Sequence, residues 1–417
     1  MAFPPAFLDE LNARNPIEDV VGQYVALTRR GSNLFGLCPF HGEKTPSFSV
    51  APEKGIFYCF GCHKGGGVVN FIMEIENLTY GDAVRFLAKR AGLEVPDDGA
   101  YQSQYKKKER LWALCRAAAQ FYHAQLKTPA GEEARAYLQK RGVSGQTVTR
   151  FGLGYSPNRW TALLDVMTAK GYTKEELLEA GLLSQNRDKG TLYDRFRNRL
   201  MFPIRNIRGQ VIAFSARTMI GEEPKYINTG DTPIFTKGSE VFGLYEARKS
   251  IQDKKRVIVV EGQMDVIQLS QAGFGEACAP LGTAIRAEHI ERLLKMTDHV
   301  IFSFDGDAAG RKAAKRAMDL SLPLLDDAQK VSFVFLPEGE DPDSLVKKSG
   351  APAFEEMLKK ALPLSSYLIE ALSQGLDLAV LEDRNAFIEE ASPLVRKTKS
   401  PLLRDGLIER LSTAVGY

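Results

Sequence analysis

Residues 256–265 read RVIVVEGQMD, and the way this run ends decides the fold. Four consecutive β-branched residues, Val257, Ile258, Val259 and Val260, are followed by Glu261 and Gly262. A strand that is apolar at every position is one covered on both faces, as in parallel sheets flanked by helices. Asp265 falls one turn along the helix expected next. The arrangement recurs in HVIFSFD at 299–305, which leads to Asp305-Gly306-Asp307, and in KVSFVFL at 330–336, which precedes Asp341-Pro342-Asp343. Such runs alternating with helical stretches across 256–348 read as βαβ units around a parallel sheet. Sheets of this kind place ligand sites at the carboxyl ends of their strands. Three strands therefore converge Glu261, Asp265, Asp305, Asp307, Asp341 and Asp343 on one crevice. Carboxylates gathered there repel one another and are driven to protonate unless a divalent cation offsets their charge. An all-oxygen donor set favours Mg²⁺ or Mn²⁺ over zinc. Each short motif also suits a helix cap, but their order on successive strands argues for a metal site.

The flanking regions read differently. Residues 110–255 carry two helical patterns and then LMFPIRNIRGQVIAFSA at 200–216, apolar runs around the turn-like Asn206-Ile207-Arg208-Gly209, which predicts a mixed α+β subdomain. Just before it, Arg195, Arg197 and Arg199 at a spacing of two would project from one face of a strand, a row of guanidinium groups suited to phosphates. The alternative is a solvated strand edge. Residues 349–417 read as helices only. Residues 97–109, polar and short of aliphatics, have the composition of an exposed linker, in which Lys106-Lys107-Lys108 serve solubility.

Residues 1–96 hold the pair Cys38-Pro39-Phe40-His41 and, 17 residues on, Cys59-Phe60-Gly61-Cys62. Two such half-sites, each a tight turn on a β-hairpin, place four ligands tetrahedrally around one zinc. FSVAPEKGIFYC at 48–59 supplies the strands. A closed set of four ligands leaves no position for water, so this zinc is expected to be structural. His63 is read as a surface residue, and Cys115 and Cys278 as small core residues. The domain closes with a helix capped by Thr79, with Val84, Phe86, Leu87 and Ala91 on its buried side and Gly92 past its end. Lys44, Lys54 and Lys64 among Phe48, Phe57, Tyr58 and Phe60 suit base stacking beside a phosphate backbone, although alternate positions on strands must also build the ribbon core.

Composition adds exclusions. With 417 residues, 44% hydrophobic and 26% charged, the chain is neither fibrous nor disordered, and is long enough for several domains. No apolar run approaches the ~20 residues of a membrane span and no leader-like segment opens the chain, so a cytoplasmic protein without membrane attachment is expected. The net charge of +3 is too small to imply nucleic acid by itself.

Cys38-Pro-Phe-His-x-Glu-Lys-Thr-Pro-Ser-Phe48, followed by Phe57-Tyr-Cys-Phe-Gly-Cys-His-Lys-Gly-Gly, resembles the zinc ribbon of the DnaG primase family. Glu261-Gly-x-x-Asp265, Leu281-Gly-Thr283, Phe304-Asp-Gly-Asp307-x-Ala-Gly-Arg311 and Asp341-Pro-Asp343 together resemble the TOPRIM domain, which also occurs in topoisomerases, nucleases and recombination mediators. Tyr193-Asp-Arg-Phe-Arg-Asn-Arg-Leu-Met-Phe-Pro-Ile204, Pro224-Lys-Tyr-Ile-Asn-Thr229, Phe235-x-Lys-Gly238 and Gly243-Leu-Tyr245 are similar to stretches of the DnaG polymerase core, so the resemblance runs from residue 1 to about 400. It implies RNA primer synthesis from ribonucleoside triphosphates on a single-stranded DNA template, by nucleotidyl transfer with two Mg²⁺ or Mn²⁺ ions, at the replication fork in the nucleoid. Glu261 is then the most constrained ligand or a general base, Asp305 and Asp307 the principal ligands, and Asp265, Asp341 and Asp343 hold the second ion or its waters. Lys225 and Lys237 match positions near the catalytic crevice that bind nucleotide or nascent duplex; Arg141 and Arg217 match nucleotide-contacting positions. A TOPRIM nuclease or topoisomerase, and a non-catalytic DNA-binding adaptor, are the competing classes, and the complete acidic set argues against the adaptor. A monomer is expected. Chains of this family usually continue into a domain that docks on the replicative helicase; since Leu358, Leu362, Tyr367, Leu368 and Leu372 already read as packed on the core, that domain is expected to be absent.

Overall fold

The structure, a computed structural model, describes residues 3–416 apart from Asn77, Asp97, Asp98, Arg187, Lys189, Glu222 and Thr283. Asp97 and Asp98 of the expected linker and Thr283 of the Leu281-Gly282-Thr283 motif thus lie outside the described residues. The chain divides into two compact units, Met1–Lys107 and Lys108–Tyr417.

The first unit opens with α1 (Pro5–Arg14) and α2 (Ile17–Val21). An antiparallel sheet follows, β1 (Thr28–Arg30), β2 (Asn33–Gly36), β3 (Phe48–Ala51), β4 (Ile56–Cys59) and β5 (Gly65–Gly67), its strands in chain order. Helices α3 (Val68–Ile75) and α4 (Tyr80–Ala91) complete it. Phe48 and Phe57 stack at 5.3 Å on the inner face and meet Phe71 of α3. The Thr79 hydroxyl accepts from the Asp82 amide at 3.3 Å and Gly92 turns left-handed at φ 64°, so α4 begins and stops where the sequence indicates. Its buried face is Ala83, Val84, Leu87 and Ala88, whereas Phe86 is 40% exposed. Two residues past Val84, Phe86 is rotated by about 200° onto the opposite side.

The expected linker is not extended. Its described part belongs to α5 (Gly99–Leu126), in which Leu111, Leu114, Cys115, Ala118 and Tyr122 form an apolar stripe. A stripe recurring at helical spacing carries the helix back through the polar residues before it, a context that overrides composition. After α5 come α6 (Glu132–Lys140), α7 (Gly145–Phe151), β6 (Gly154–Ser156), α8 (Ala162–Ala169), α9 (Lys174–Glu179), β7 (Leu183–Gln185), β8 (Leu192–Asp194), β9 (Arg199–Arg205), β10 (Val211–Arg217) and β11 (Tyr226–Asn228). The antiparallel sheet β11-β10-β9-β6 has α5 and α8 on one side, against Met201, Phe214 and Ala216. Residues 206–209 form the turn of the β9–β10 hairpin, with Gly209 at φ 81°.

Next are β12 (Val241–Phe242), α10 (Leu244–Lys254), β13 (Val257–Val259), α11 (Gln263–Gln271), β14 (Ala277–Pro280), α12 (Ala287–Leu294), β15 (His299–Phe304), α13 (Ala308–Ser321), β16 (Lys330–Phe335), α14 (Pro342–Lys359), β17 (Leu362–Pro363), α15 (Leu364–Ser373), α16 (Leu381–Lys397) and α17 (Pro401–Val415). Strands β14, β13, β15 and β16 are parallel, with β12 and β17 antiparallel at the edges. Val257, Val259, Val300 and Phe302 face a core built with α12, α13 and α15–α17, while Ile258, Val260 and Ile301 face one built with α11 and α14. That second core also takes in Leu200, Phe202 and Ile204 of β9, so the mixed sheet and the parallel sheet share one interior. The region after 349 is not helical throughout, because Leu362 and Pro363 pair with Phe333 and Ser332.

Helix α8 illustrates how buried polar groups are satisfied. Thr161 gives it no side-chain cap; instead Asp194, 2% exposed at the end of β8, accepts from the amides of Leu163 and Leu164 at 2.7 and 3.0 Å. Burial nevertheless pushes Asp194 up to about 6. The folded state therefore holds this proton more tightly than the unfolded chain, and this group's contribution to stability declines as pH rises through about 6. Asp194→Ala is expected to lower the unfolding free energy by about 1–3 kcal/mol through the orphaned amides. In denaturant titrations, the stability of the parent protein relative to Asp194→Asn should be smaller at pH 7 than at pH 4.

Candidate functional site

The first constellation lies on the β-ribbon. The ligand atoms of Cys38, His41, Cys59 and Cys62 all lie within 4.8 Å of one another. Cys38 Sγ is 3.8 Å from Cys62 Sγ, and Cys59 Sγ is 3.7 Å from His41 Nδ1. A disulfide requires about 2.05 Å; about 3.8 Å is the edge of a tetrahedron whose central bonds are about 2.3 Å, the Zn–S length. His41 Nε2 faces Glu43 at 3.3 Å, and Glu43 also accepts from the amides of Cys38 and Ser47, so one carboxylate orients both ring and loop. A Cβ at Gly61 would stand 2.6 Å from His41 Nε2, which is why the second half-site holds glycine there. Burial pushes the Cys38 and Cys62 thiols up, while at Cys59 the donors Ser47, Cys62 and Gly61 outweigh burial and hold the thiol low. The donor set fits a zinc ion. His63, exposed and bonded to the Tyr58 hydroxyl at 2.9 Å, stands outside the four, and Cys115 and Cys278 are buried in the second unit. Of the four rings beside the lysines, Phe48 and Phe57 are core, whereas Tyr58 and Phe60 face solvent at 39% and 62% exposure.

The second constellation lies at the carboxyl ends of β13, β15 and β16. Three of the acids are placed by local devices. Asp265 accepts from the Gly262 amide at 3.1 Å, Asp307 caps α13 through the Gly310 amide at 2.7 Å, and Asp341 caps α14 through the Ser344 amide at 2.7 Å. A Cβ at Gly306 would lie 2.2 Å from the Leu336 carbonyl, so the Asp305-Gly306-Asp307 turn requires glycine. Burial, then Asp305 and Asp307, push Glu261 up. Burial, then Asp341, Asp305 and Asp343, push Asp265 up to about 7. Burial, then Asp307 and Asp341, also raise Asp305 above the ordinary carboxylate range. With β13, β15 and β16 adjacent in the sheet, the acids at their ends lie close enough to influence one another. Among the described residues, only the cysteine and histidine set closes three or more ligand atoms to within 4.8 Å. The acids offer an all-oxygen donor set, the chemistry that fits Mg²⁺, which keeps waters and takes few carboxylates plus substrate phosphates.

Asp343 differs from the other acids. It is 5% exposed and neutralised by Lys347 at 2.7 Å and Arg141 at 3.4 Å, which places Arg141 on the crevice wall. Arg217, 7% exposed, reaches the same wall through the Tyr137 hydroxyl. Lys237 packs over Gly282 just beyond β14, its Cε 3.0 Å from where a Cβ would stand. Lys225 is exposed ahead of β11.

The row Arg195, Arg197, Arg199 does not exist as a strand face. The strand breaks between β8 and β9, where Asn198 takes φ 51°, and the three side chains part. Arg195 and Arg199 donate to the Asn228 and Pro224 carbonyls, while Arg197 lies 4.1 Å from the ring of Trp160, itself 64% exposed. Period-two reasoning assumed a continuity that the left-handed Asn198 interrupts. Tyr137, Trp160 and Tyr226 were not legible as site residues, although Tyr137 stands one helical turn before Arg141, a spacing at which side chains meet.

A thiolate–imidazole ribbon joined to a parallel sheet with acids at its strand ends defines a zinc-ribbon protein with a TOPRIM-type core. Family models agree along the chain: a CHC2 zinc finger over residues 3–103, the N-terminal domain of the DNA primase catalytic core over 121–248, a Toprim domain over 255–335, and a DnaB-helicase binding domain of primase over 365–416. The DNA primase of Pseudomonas aeruginosa is 44% identical over 419 residues, covering 99% of this chain and 63% of the relative. That of Neisseria meningitidis serogroup A is 44% identical over 422 residues, covering 99% of this chain and 70% of the relative. The chain thus spans about 63% of the length of the Pseudomonas relatives it matches. A solved DnaG primase catalytic domain bound to ssDNA superposes with TM-score 0.70 and 40% identity, over 75% of this chain and 98% of that one. The chain belongs to the bacterial DnaG-type DNA primase family.

One expectation is overturned. A helicase-binding model matches 365–416, the region whose packing suggested that such a domain was absent. The packing is real, since Leu364, Tyr367, Leu368, Leu372, Phe387 and Leu394 join the core beneath the parallel sheet. The error lay in taking packing on the core as evidence against such a region. No described helix is long and apolar enough to cross a membrane.

Crowded acids make stability depend on pH and cation together. With folded pKa values raised at Glu261, Asp265 and Asp305, the metal-free folded state binds more protons than the unfolded chain up to about pH 7, and loses stability as pH rises through that range. Millimolar Mg²⁺ is expected to raise the thermal midpoint more at pH 8 than at pH 5.5. Differential scanning fluorimetry showing an increment independent of pH would dissociate the raised acids from the cation site.

Proposed function

We propose that this chain copies single-stranded DNA into short RNA primers. The observation that carries this reading is the crevice at the ends of β13, β15 and β16, where acids that perturb one another stand beside Arg141 in a chain of the primase family. Glu261, Asp305 and Asp307 would hold one divalent ion, and Asp265, Asp341 and Asp343 the second ion or its waters. Bound Mg²⁺ or Mn²⁺ supplies acidification of the primer 3′-hydroxyl and charge stabilisation of the leaving pyrophosphate. The protein's part is positioning. Arg141, Arg217 and Lys237 bind the triphosphate, Lys225 with Arg197 and Trp160 guide nucleic acid, and Arg195 and Arg199 brace the β9–β11 edge. As the bond from the 3′-oxygen to the α-phosphorus forms, the bond from that phosphorus to the pyrophosphate oxygen breaks, and Glu261 is placed to receive the hydroxyl proton.

Cys38, His41, Cys59 and Cys62 hold one structural zinc, and the ribbon presents Tyr58 and Phe60 to template bases. Residues 365–416 contribute to contact with the replicative helicase, supported by the family model that matches them. The place of action is the cytoplasm, at the replication fork.

The deciding assay supplies labelled ribonucleotides and single-stranded template with and without Mg²⁺. New template-dependent oligomers are expected; nicking of existing strands without synthesis would move the chain to another TOPRIM class. Asp305→Asn should leave the fold and template binding intact and lower synthesis by about 10² or more. Cys59→Ser should lose the single zinc, read by metal analysis, and unfold residues 38–62 while the second unit keeps its melting transition.

A further inference from the structure

Two arginines meet at one phenol. Tyr137, on the last turn of α6, accepts from Arg141 Nε at 3.1 Å and from Arg217 Nη1, although these come from a helix end and from the last residue of β10. Its ring lies 5.7 Å from the Arg141 guanidinium carbon and 5.0 Å from that of Arg217, and Tyr226 closes the other side of Arg217 at 5.7 Å. Arg141 is anchored further by Asp343 at 3.4 Å and by Gln268, which donates to its carbonyl at 2.7 Å. Arg217 is 7% exposed and its Nε has no hydrogen-bond partner among the described residues. A buried guanidinium left partly unsatisfied is costly unless an anion completes it. The same wall faces Asp265, which Asp341 and Asp343 perturb.

We propose that Tyr137 is a positioning residue that locks Arg141 and Arg217 into one receptor for the triphosphate of the incoming ribonucleotide. This rests on the primer-synthesis reading. The ligand is assigned to a triphosphate rather than a nucleic-acid phosphodiester because the guanidinium pair abuts the acids. A group bridging both must carry several negative charges, some to meet the arginines and some to share divalent ions with the carboxylates. Two like charges beside one phenol repel, and the shared acceptor with flanking rings is what keeps them together before the nucleotide arrives. Free of the hydroxyl, either arginine can turn toward solvent.

The test compares Tyr137→Phe with the parent protein, zinc content and thermal midpoint being checked first. The hydroxyl's loss should raise KM for ribonucleotide about 10-fold and weaken equilibrium binding of ATP with Mg²⁺ by a similar factor, with kcat within about 2-fold. Affinity for a labelled single-stranded oligonucleotide should not change. In an Arg217→Lys background the same substitution should add little further loss, since Tyr137 acts through the group already altered. Additive losses, a fall in kcat at unchanged KM, or weakened oligonucleotide binding with unchanged ATP binding would each overturn the assignment. If the parent protein binds ATP but makes no RNA, the primer-synthesis reading fails, and the ATP-binding comparison still decides the role of Tyr137.

Discussion

A parallel sheet covered on both faces leaves its strand ends as the only places where polar side chains can gather without breaking the core. In this chain the alternation is strict: Val257 and Val259 face the helices on one side, Ile258 and Val260 those on the other. The first position free of that demand after β13 is Glu261, and after β15 Asp305. The crevice is thus a consequence of how the sheet is buried, and its electrostatics follow from the same cause. Burial is the largest influence raising Glu261, Asp265 and Asp305, and neighbouring carboxylates add to it. Protonation at low pH relieves this pressure, and a bound divalent cation would relieve it at high pH.

Capping and chemistry prove to be one arrangement. Asp307 and Asp341 each use an oxygen to accept from a first-turn amide, Gly310 of α13 and Ser344 of α14, and Asp265 from Gly262. A carboxylate has two oxygens, so a cap fixes the side chain's direction and still leaves an acceptor for a ligand. Helix starts that orient the acids in advance reduce the ordering that a bound ion would otherwise have to impose.

How much of this was legible varies with the range of the interaction involved. The grouping of Cys38, His41, Cys59 and Cys62, the strand-end position of the acids and the α4 caps were readable because each depends on residues close in sequence or on one strand's end. The row Arg195, Arg197, Arg199 was misread because a single left-handed residue, Asn198, separates two strands that composition alone would join. The helix through 99–109 was missed because its cause, the stripe from Leu111 to Tyr122, lies further along the chain. Tyr137 shows the limit most clearly. Its spacing to Arg141 could be counted, but Arg217 arrives from 80 residues away by the pairing of β9 with β10. No local pattern announces a contact that only the tertiary fold creates.

The C-terminal helices show why counting residues is a poor guide to function. Each of α15, α16 and α17 is too short to fold alone, and each finds its apolar partners in the core beneath β15 and β16, through Tyr367 against Phe333 at 4.5 Å and through Phe387, Leu394 and Leu407. A segment that borrows its core in this way needs no minimum length of its own. Its inward face is committed to the sheet, and its outward face is left to evolve for other contacts. The helices matched by the helicase-binding model over 365–416 are thus also the helices that pack beneath the sheet. Arg311, one turn into the helix that Asp307 caps, pairs with Glu370 of α15 at 2.9 Å on the exposed surface.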